Sequence, residues 1–385
     1  MTRLLASSSL EAAQNLQGTS SGTKLTGLPI ARYQFTAQIQ EDIWLPEYAG
    51  SLFRGQFGAA LRRLSCMTRQ LECAGCPLLE TCPYTQIFQP VPPTEHPIQN
   101  FSAIPAGYII VPPMPKAGYS QRRRGRQFLA AGDFFEFEMV LVGHVRHQLP
   151  LIIYAWQQAL SRGLTKDRKA AILQDVRCVN SGHNHQVTGA NAELNKFAAD
   201  QKNCVHQAKY TLSEFIWTSD TQSVQPHDNE LALPAPTQIN AGVRASDVAV
   251  SLIIDTPLRL QRKGRVVGPD NLDTRTFLAA LARRVALIME FHADDPHWGK
   301  QVPQLIEMSE QKVDSKADLR WFDWRRYSSR QRQEMALGGV VGHIQLKAQH
   351  ETMARLWPWV WIGQWLHVGK NATFGMGQYR IGEML

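Results

Sequence analysis

Apolar and polar residues alternate from Arg32 to Gln40, with Tyr33, Phe35, Ala37 and Ile39 on one side, the period-two pattern of a half-buried strand. Past the turn at Pro46 to Gly50 the period lengthens. Phe53, Phe57, Leu61 and Leu64 recur at helical spacing with Arg54, Arg62 and Arg63 between them, which predicts an amphipathic helix with a basic face. A strand pattern over Asp133–Gly143 and a helical one over Leu149–Leu160, ending near Gly163, repeat the alternation. A second set follows, with a strand at Asp247–Asp255, a turn at Thr256-Pro257 and a strongly periodic helix over Thr274–Phe291. Strand candidates around Trp321–Tyr327 and Val340–Ala348, a helical stretch before Gly363 and a final strand at Gln378–Ile381 complete it. Two βαββαβ sheets, one per domain, are the simplest α+β architecture for this order.

A chain of 385 residues exceeds the usual size of one domain. The expected division is a disordered tail at 1–28, an N-terminal domain at 29–177, a polar insertion or linker at 178–240 and a C-terminal domain at 241–385. The tail is rich in Ser, Thr, Gly and Gln, and the linker in Asn, Gln, His, Asp and Ser, with periodicity only near Lys209–Trp217. Apolar residues at 44% and charged ones at 19% give a globular composition. The longest apolar runs, Met139–Val142 and Leu149–Ala155, fall far short of the roughly 20 residues that span a bilayer. With no apolar stretch of signal-peptide type, the expected location is cytoplasmic. Lys and Arg number 41 against 33 acids, a net charge of +8 that favours a polyanionic partner.

Four of the six cysteines, Cys66, Cys73, Cys76 and Cys82, follow C-x6-C-x2-C-x5-C. Four thiolates can close a tetrahedral zinc site, and only the central C-x2-C is a standard knuckle. A structural zinc pinning the loop that leaves the first helix is expected, with an iron–sulfur cluster or free thiols as the alternatives. Near the C-terminus, Gly369-Lys370-Asn371-Ala372-Thr373-Phe374-Gly375-Met376-Gly377 places three glycines and a lysine just before a strand. Glycine lets backbone N–H groups turn toward an anion, and the lysine adds charge. The order is not that of a P-loop, and glycine in a turn is otherwise a conformational need.

Four motifs in order carry a family resemblance over nearly the whole chain after the tail. They are Gly50-Ser51-Leu52-Phe53-Arg54-Gly55; the cysteine cluster closing on Cys82-Pro83-Tyr84 and Ile87-Phe88; and Thr256-Pro257-Leu258-Arg259-Leu260. The fourth joins Arg326-Tyr327-Ser328-Ser329-Arg330-Gln331 and Gly338-Gly339-Val340-Val341-Gly342 to His367-Val368-Gly369-Lys370 and Phe374-Gly375-Met376-Gly377. Together they resemble the CRISPR precursor-RNA processing endoribonucleases of the RAMP superfamily. The resemblance implies tandem ferredoxin-like (RRM-like) domains, here with a Cys-rich insertion at 66–82. It also implies a CRISPR precursor RNA substrate and metal-independent cleavage, in which the ribose 2′-hydroxyl attacks the adjacent phosphate and leaves a 2′,3′-cyclic phosphate. No cofactor is implied for catalysis, and other CRISPR effector subunits are candidate partners.

Such chemistry needs a base, an acid for the leaving 5′-oxygen and fixed positive charge. The family often carries its histidine on or just after the first helix, where this chain has Arg54 and no histidine before His96. The candidates are therefore His367, two residues before the glycine-rich loop, and Tyr327, flanked by Arg326 and Arg330, with Lys370 and Arg54 stabilising the phosphate. His144 and His147 are a weaker pair at a strand end, and His183 and His185 lie in the polar insertion. RNA contacts are expected from Arg122, Arg123, Arg124, Arg126, Arg326 and Arg330, and from Gly369, Asn371, Thr373, Gly375 and Gly377 in the loop. The tryptophans Trp321, Trp324, Trp357, Trp359, Trp361 and Trp365 could stack on bases, but their apolar neighbours point to the core. Two other readings remain: a non-catalytic RAMP subunit that binds CRISPR RNA in an effector complex, and a zinc-stabilised nucleic-acid-binding module.

Overall fold

In chain order the first half runs β1 (Ile30–Ile39), β2 (Ile43–Pro46), α1 (Gly50–Ser65), α2 (Pro83–Phe88), β3 (Tyr108–Val111), β4 (Arg122–Arg123), β5 (Arg126–Leu129), β6 (Phe134–Val142), α3 (Leu149–Ser161), β7 (Ala171–Ser181) and β8 (Tyr210–Thr218). The second half runs β9 (Asp247–Leu258), β10 (Gln261–Arg262), β11 (Arg265–Val266), α4 (Thr274–Ala293), α5 (His297–Gln311), β12 (Asp314–Phe322), β13 (Arg325–Ser328), β14 (Gln333–Ala336), β15 (Gly339–Gln349), α6 (His350–Leu366) and β16 (Tyr379–Met384). The computed structural model describes residues 28–46, 48–93, 95, 103–113, 122–123, 126–181, 210–218, 247–323, 325–328 and 333–384.

Both halves build the same sheet. The first has the antiparallel order β3-β6-β1-β7-β8 and the second β12-β15-β9-β16. With β8 set aside, each sheet carries the second, third, first and fourth main strands of a βαββαβ unit, which is the ferredoxin-like order in tandem.

The period-two pattern of β1 decides how its sheet is covered. Tyr33, Phe35, Ala37 and Ile39 face α1 and α3 in one core, where the Phe57 and Trp156 rings stack at 5.3 Å between centroids. On the opposite face, Ile30, Ile109, Val111, Val140 and Val142 join the second core with Leu278, Val285 and Val360. The first sheet is therefore buried on both faces, by its own helices and by the second half. At this junction Arg32 pairs with Glu138 across the β1–β6 ladder, with its guanidinium 5.6 Å from the Trp365 ring centroid.

Helix α4 begins at Asp273, whose side chain accepts from the Thr276 N–H at 2.7 Å, and buries Phe277, Leu278, Leu281, Ala282, Val285, Ile288 and Met289 on one stripe. Helix α6 is buried nearly all round, including Trp357, Trp359, Trp361 and Trp365, and Gly363 lies inside it. Trp321 is 40% exposed, and Trp324 lies outside the described residues. The strand expected over Trp321–Tyr327 is the end of β12 and the start of β13, because Asp323 and Trp324 separate the two. Residues 210–218, expected in a polar insertion or linker, form β8 and pair with β7, so this stretch belongs to the first sheet. The tail expected at 1–28 lies outside the described residues apart from Leu28. Among the described residues no helix is long and apolar enough to cross a membrane.

Candidate functional site

The glycine-rich segment follows α6 and sits where the two halves meet. His367, at the end of α6, Gly369, Asn371, Gly375 and Gly377 all have positive φ, so the chain reverses direction repeatedly within a few residues. A short 3-10 turn at Ala372–Phe374 packs against α1 and β3 of the first half.

Residues 256–259, at the end of β9, hold the loop from the other side. The Gly377 N–H donates to the Pro257 carbonyl at 3.0 Å, and the Lys370 N–H to the Arg259 carbonyl at 2.9 Å. The Thr256 hydroxyl donates to the Gly375 carbonyl at 2.7 Å and accepts from the Gln378 N–H at 2.8 Å. From the first half, the Tyr48 hydroxyl donates to the Phe374 carbonyl at 2.9 Å. Tyr48, Leu337, Phe374 and Met376 form a small apolar cluster of their own. Arg259 also donates to the Gly338 carbonyl at 2.6 Å, at the base of the β13–β14 hairpin. The motifs at 50–55, 256–260, 338–342 and 369–377 thus converge on one junction.

Only part of the loop faces outward. Lys370 is exposed and Gly369, Asn371 and Thr373 are half-buried, whereas Gly375 and Gly377 are buried. The N–H groups of Lys370, Phe374, Gly375 and Gly377 all donate within the protein, so the glycines serve the turn itself rather than supplying these groups to an anion. A Cβ at Gly377 would collide with the Val368 carbonyl oxygen, and one at Gly375 would crowd Pro112, Tyr48 and the Ile110 carbonyl.

Helix α1 starts beside this loop, since a Cβ on Gly50 would run into the Phe374 carbonyl oxygen. Its N-cap, Ala49, offers no side-chain acceptor and its first turn holds no acid, so the positive end of the helix is left without an internal anion. The basic run at Arg122–Arg126 is a β4–β5 hairpin, in which Arg123 pairs with Arg126, and Arg126 is exposed. Strand β5 pairs with β2, Arg126 opposite Pro46, which places the hairpin beside the segment leading into α1.

The other candidates fall differently. His367 is wholly buried and neither ring nitrogen makes a normal hydrogen bond. Burial, with the Arg32 and Arg284 charges adding to it, brings its pKa down to about 3. Arg54 is half-buried, its guanidinium 4.3 Å from the Phe88 ring centroid and beside Tyr108, whose hydroxyl burial pushes up to about 12. Tyr327 and Arg326 are on β13 with side chains outside the described residues; Arg122 and Arg123 are likewise known by backbone alone. Arg124, Arg330, His183 and His185 lie outside them altogether. His144 and His147 are exposed on a 3-10 turn, and His144 contacts His292 at 5.2 Å between ring centroids.

The family model of the CRISPR-associated endoribonuclease Cas6 matches residues 252–379, the stretch that runs from within β9 through the glycine-rich loop. This C-terminal stretch is similar to the Cas6 family. A second family model, described as an N-terminal domain, matches residues 28–201. Solved structures similar to this chain include a Cas6 product complex at 13% identity and TM-score 0.49, covering 91% of this chain and 99% of that one. Thermus thermophilus Cas6 is similar at 12% identity and TM-score 0.43, with 92% and 99% covered. A protein described as a RAMP protein binding different RNA substrates is similar at 9% identity and TM-score 0.44, with 92% and 100% covered. No curated protein sequence matches the chain.

The four clustered cysteines lie apart from the glycine-rich loop, between α1 and α2. All four line one cavity, together with Arg62, Thr68, Tyr84 and Thr85. Their sulfurs are not drawn together, since no three His, Cys, Asp or Glu side chains among the described residues stand where one metal ion could be held. Tyr48 was not singled out in the sequence. Its only signal is an aromatic residue two positions ahead of the helix-opening Gly50.

Proposed function

We propose that this protein cuts CRISPR repeat sequences out of precursor RNA, with the scissile phosphate held over the outward edge of the glycine-rich loop. The observation that carries the reading is the junction itself, where Lys370 is exposed on a loop fixed by both halves, next to the uncapped start of α1 and the basic β4–β5 hairpin. Fixed positive charge of this kind stabilises a phosphate that gains negative character in the transition state.

In the proposed reaction the 2′-oxygen forms a bond to phosphorus and loses its proton. The 5′-oxygen bond to phosphorus breaks, and a proton is delivered to that oxygen. The products are a 2′,3′-cyclic phosphate and a 5′-hydroxyl, and no metal ion enters the step. Lys370 neutralises the phosphate, while Arg122, Arg123, Arg124, Arg126, Arg326 and Arg330 hold the flanking backbone. Tyr327 is our candidate for proton transfer, because the His367 ring is enclosed. The chemistry needs no cofactor, and other CRISPR effector subunits are candidate partners.

A second reading is favoured by the same burial of His367 and by the absence of histidine from α1. It makes the protein a CRISPR-RNA-binding RAMP subunit without cleavage activity. Incubating the pure protein with labelled repeat RNA in EDTA separates the two. Discrete cleavage supports the nuclease reading, whereas tight binding with no product supports the binding subunit.

A further inference from the structure

Cys66 directly follows α1 and Cys82 directly precedes α2, so the cysteine cluster brackets the whole connection between the two helices. That connection has no strand or helix of its own. It leaves Met67 and Leu71 exposed, at 83% and 93%, and so contributes little to the core. Backbone turns give it shape instead. The Cys76 N–H donates to the Cys73 carbonyl at 3.1 Å across Ala74 and Gly75, with Gly75 at φ +74°, and the Leu79 and Cys82 N–H groups close two further turns. Arg62 on α1 donates to the carbonyls of Gln70 and Leu71 at 2.5 and 2.7 Å.

The four thiols share one cavity, although their sulfurs are not drawn onto a common centre. All four thiols are free and half-buried, and all four line the same cavity. The Thr68 hydroxyl is 3.5 Å from the Cys76 sulfur and 4.0 Å from that of Cys66, which puts the knuckle and the end of α1 on one small polar centre. A shared cavity lined by four thiols, in a segment with no core to order it, is a place where a bound cation would supply the missing cross-link.

We propose that Cys66, Cys73, Cys76 and Cys82 close around one zinc ion as four thiolates. Each thiol loses its proton on binding. Four sulfur ligands leave no open position for water or substrate, so the site is structural. It ties the last turn of α1 to the first turn of α2. In doing so it holds Phe88 against Gly58 and Phe57, and beneath the Arg54 guanidinium. The proposal does not depend on whether the chain cleaves RNA.

The test uses the full chain purified under reducing conditions, with metals measured by mass spectrometry and thiols titrated with and without a mercurial that ejects zinc. We expect about one zinc per chain, with four of the six cysteines protected until the mercurial is added. Cobalt(II) supplied to the stripped protein should give the sulfur-to-metal charge-transfer bands of a tetrahedral thiolate site, and Cys73→Ser with Cys76→Ser should abolish both signals. Wild-type protein with no bound metal and four reactive thiols would overturn the proposal, as would iron with acid-labile sulfide, or a disulfide among these cysteines. These wild-type readings decide the question even if the double variant fails to fold.

Discussion

The Tyr48 hydroxyl and the Phe374 carbonyl, 326 positions apart in the chain, are joined by a 2.9 Å hydrogen bond that fixes the glycine-rich loop of the second half to the approach to α1 in the first. Tyr48 is enclosed, and burial holds its hydroxyl pKa well above the usual tyrosine value, so the group stays a neutral donor throughout the physiological range. Removing that hydroxyl strands a buried carbonyl. Tyr48→Phe should cost about 1–3 kcal/mol of stability, read as a lower urea midpoint, and should weaken RNA binding more than a surface Tyr154→Phe control does.

Gly377 has φ +70° and no room for a side chain, since any Cβ meets the Val368 carbonyl. Left-handed backbone alone costs an L-residue roughly 1–2 kcal/mol, and here the collision adds to it. Gly377→Ala should lower the melting temperature and the RNA affinity together. Gly264, with positive φ in open space, provides the comparison: Gly264→Ala should leave RNA affinity unchanged.

Lys370 is the exposed cation of the loop, and its backbone N–H, rather than its side chain, holds the turn. Lys370→Ala should therefore leave the stability within about 0.5 kcal/mol of wild type. It should reduce the slope of log affinity against log salt by about 0.7 for a single-stranded contact. An unchanged slope would show that Lys370 makes no phosphate contact.

His367 gives a pH dependence of known sign. Its folded pKa is about 3 against about 6.5 for free imidazole, so between those values the unfolded chain binds more protons than the folded one. Its contribution is intact above about pH 6.5 and is lost as pH falls toward 3. His292, lowered to about 4 by burial first and by the neighbouring His144 and Arg284 charges, acts in the same direction. Urea midpoints should fall from pH 7 to pH 4, and less steeply in His367→Asn. Because the ring is enclosed, His367→Asn should retain cleavage at temperatures where the variant is folded.

Much of the fold was legible in the sequence because period is a backbone property. The alternation in β1 and β6 and the stripe on α4 survive whatever packs against them, as Tyr33, Phe35 and Phe277 illustrate. The strand β7, with Gln174, Asp175 and Arg177 in its middle, was hidden by polar residues whose partners, Thr36 for Asp175 among them, come from β1. Helix α6 gave a weak period because it is buried nearly all round. The glycine-rich loop was visible as a motif, but its mechanics were not. Proximity in sequence made His367 attractive, yet at the end of α6 the ring is enclosed, a matter of tertiary packing. Tyr48 was invisible for the converse reason, since its partner lies at the far end of the chain.

The central claim, internal attack by the ribose hydroxyl, is tested most directly by the ends of the product and by deleting the attacking atom. Wild-type protein should cut a repeat RNA in EDTA to leave a 2′,3′-cyclic phosphate, and should bind but not cut the same RNA carrying one 2′-deoxy nucleotide at the cleavage site. Cleavage that survives the 2′-deoxy substitution, or a folded, RNA-bound protein that never cuts the unmodified RNA, would contradict the account.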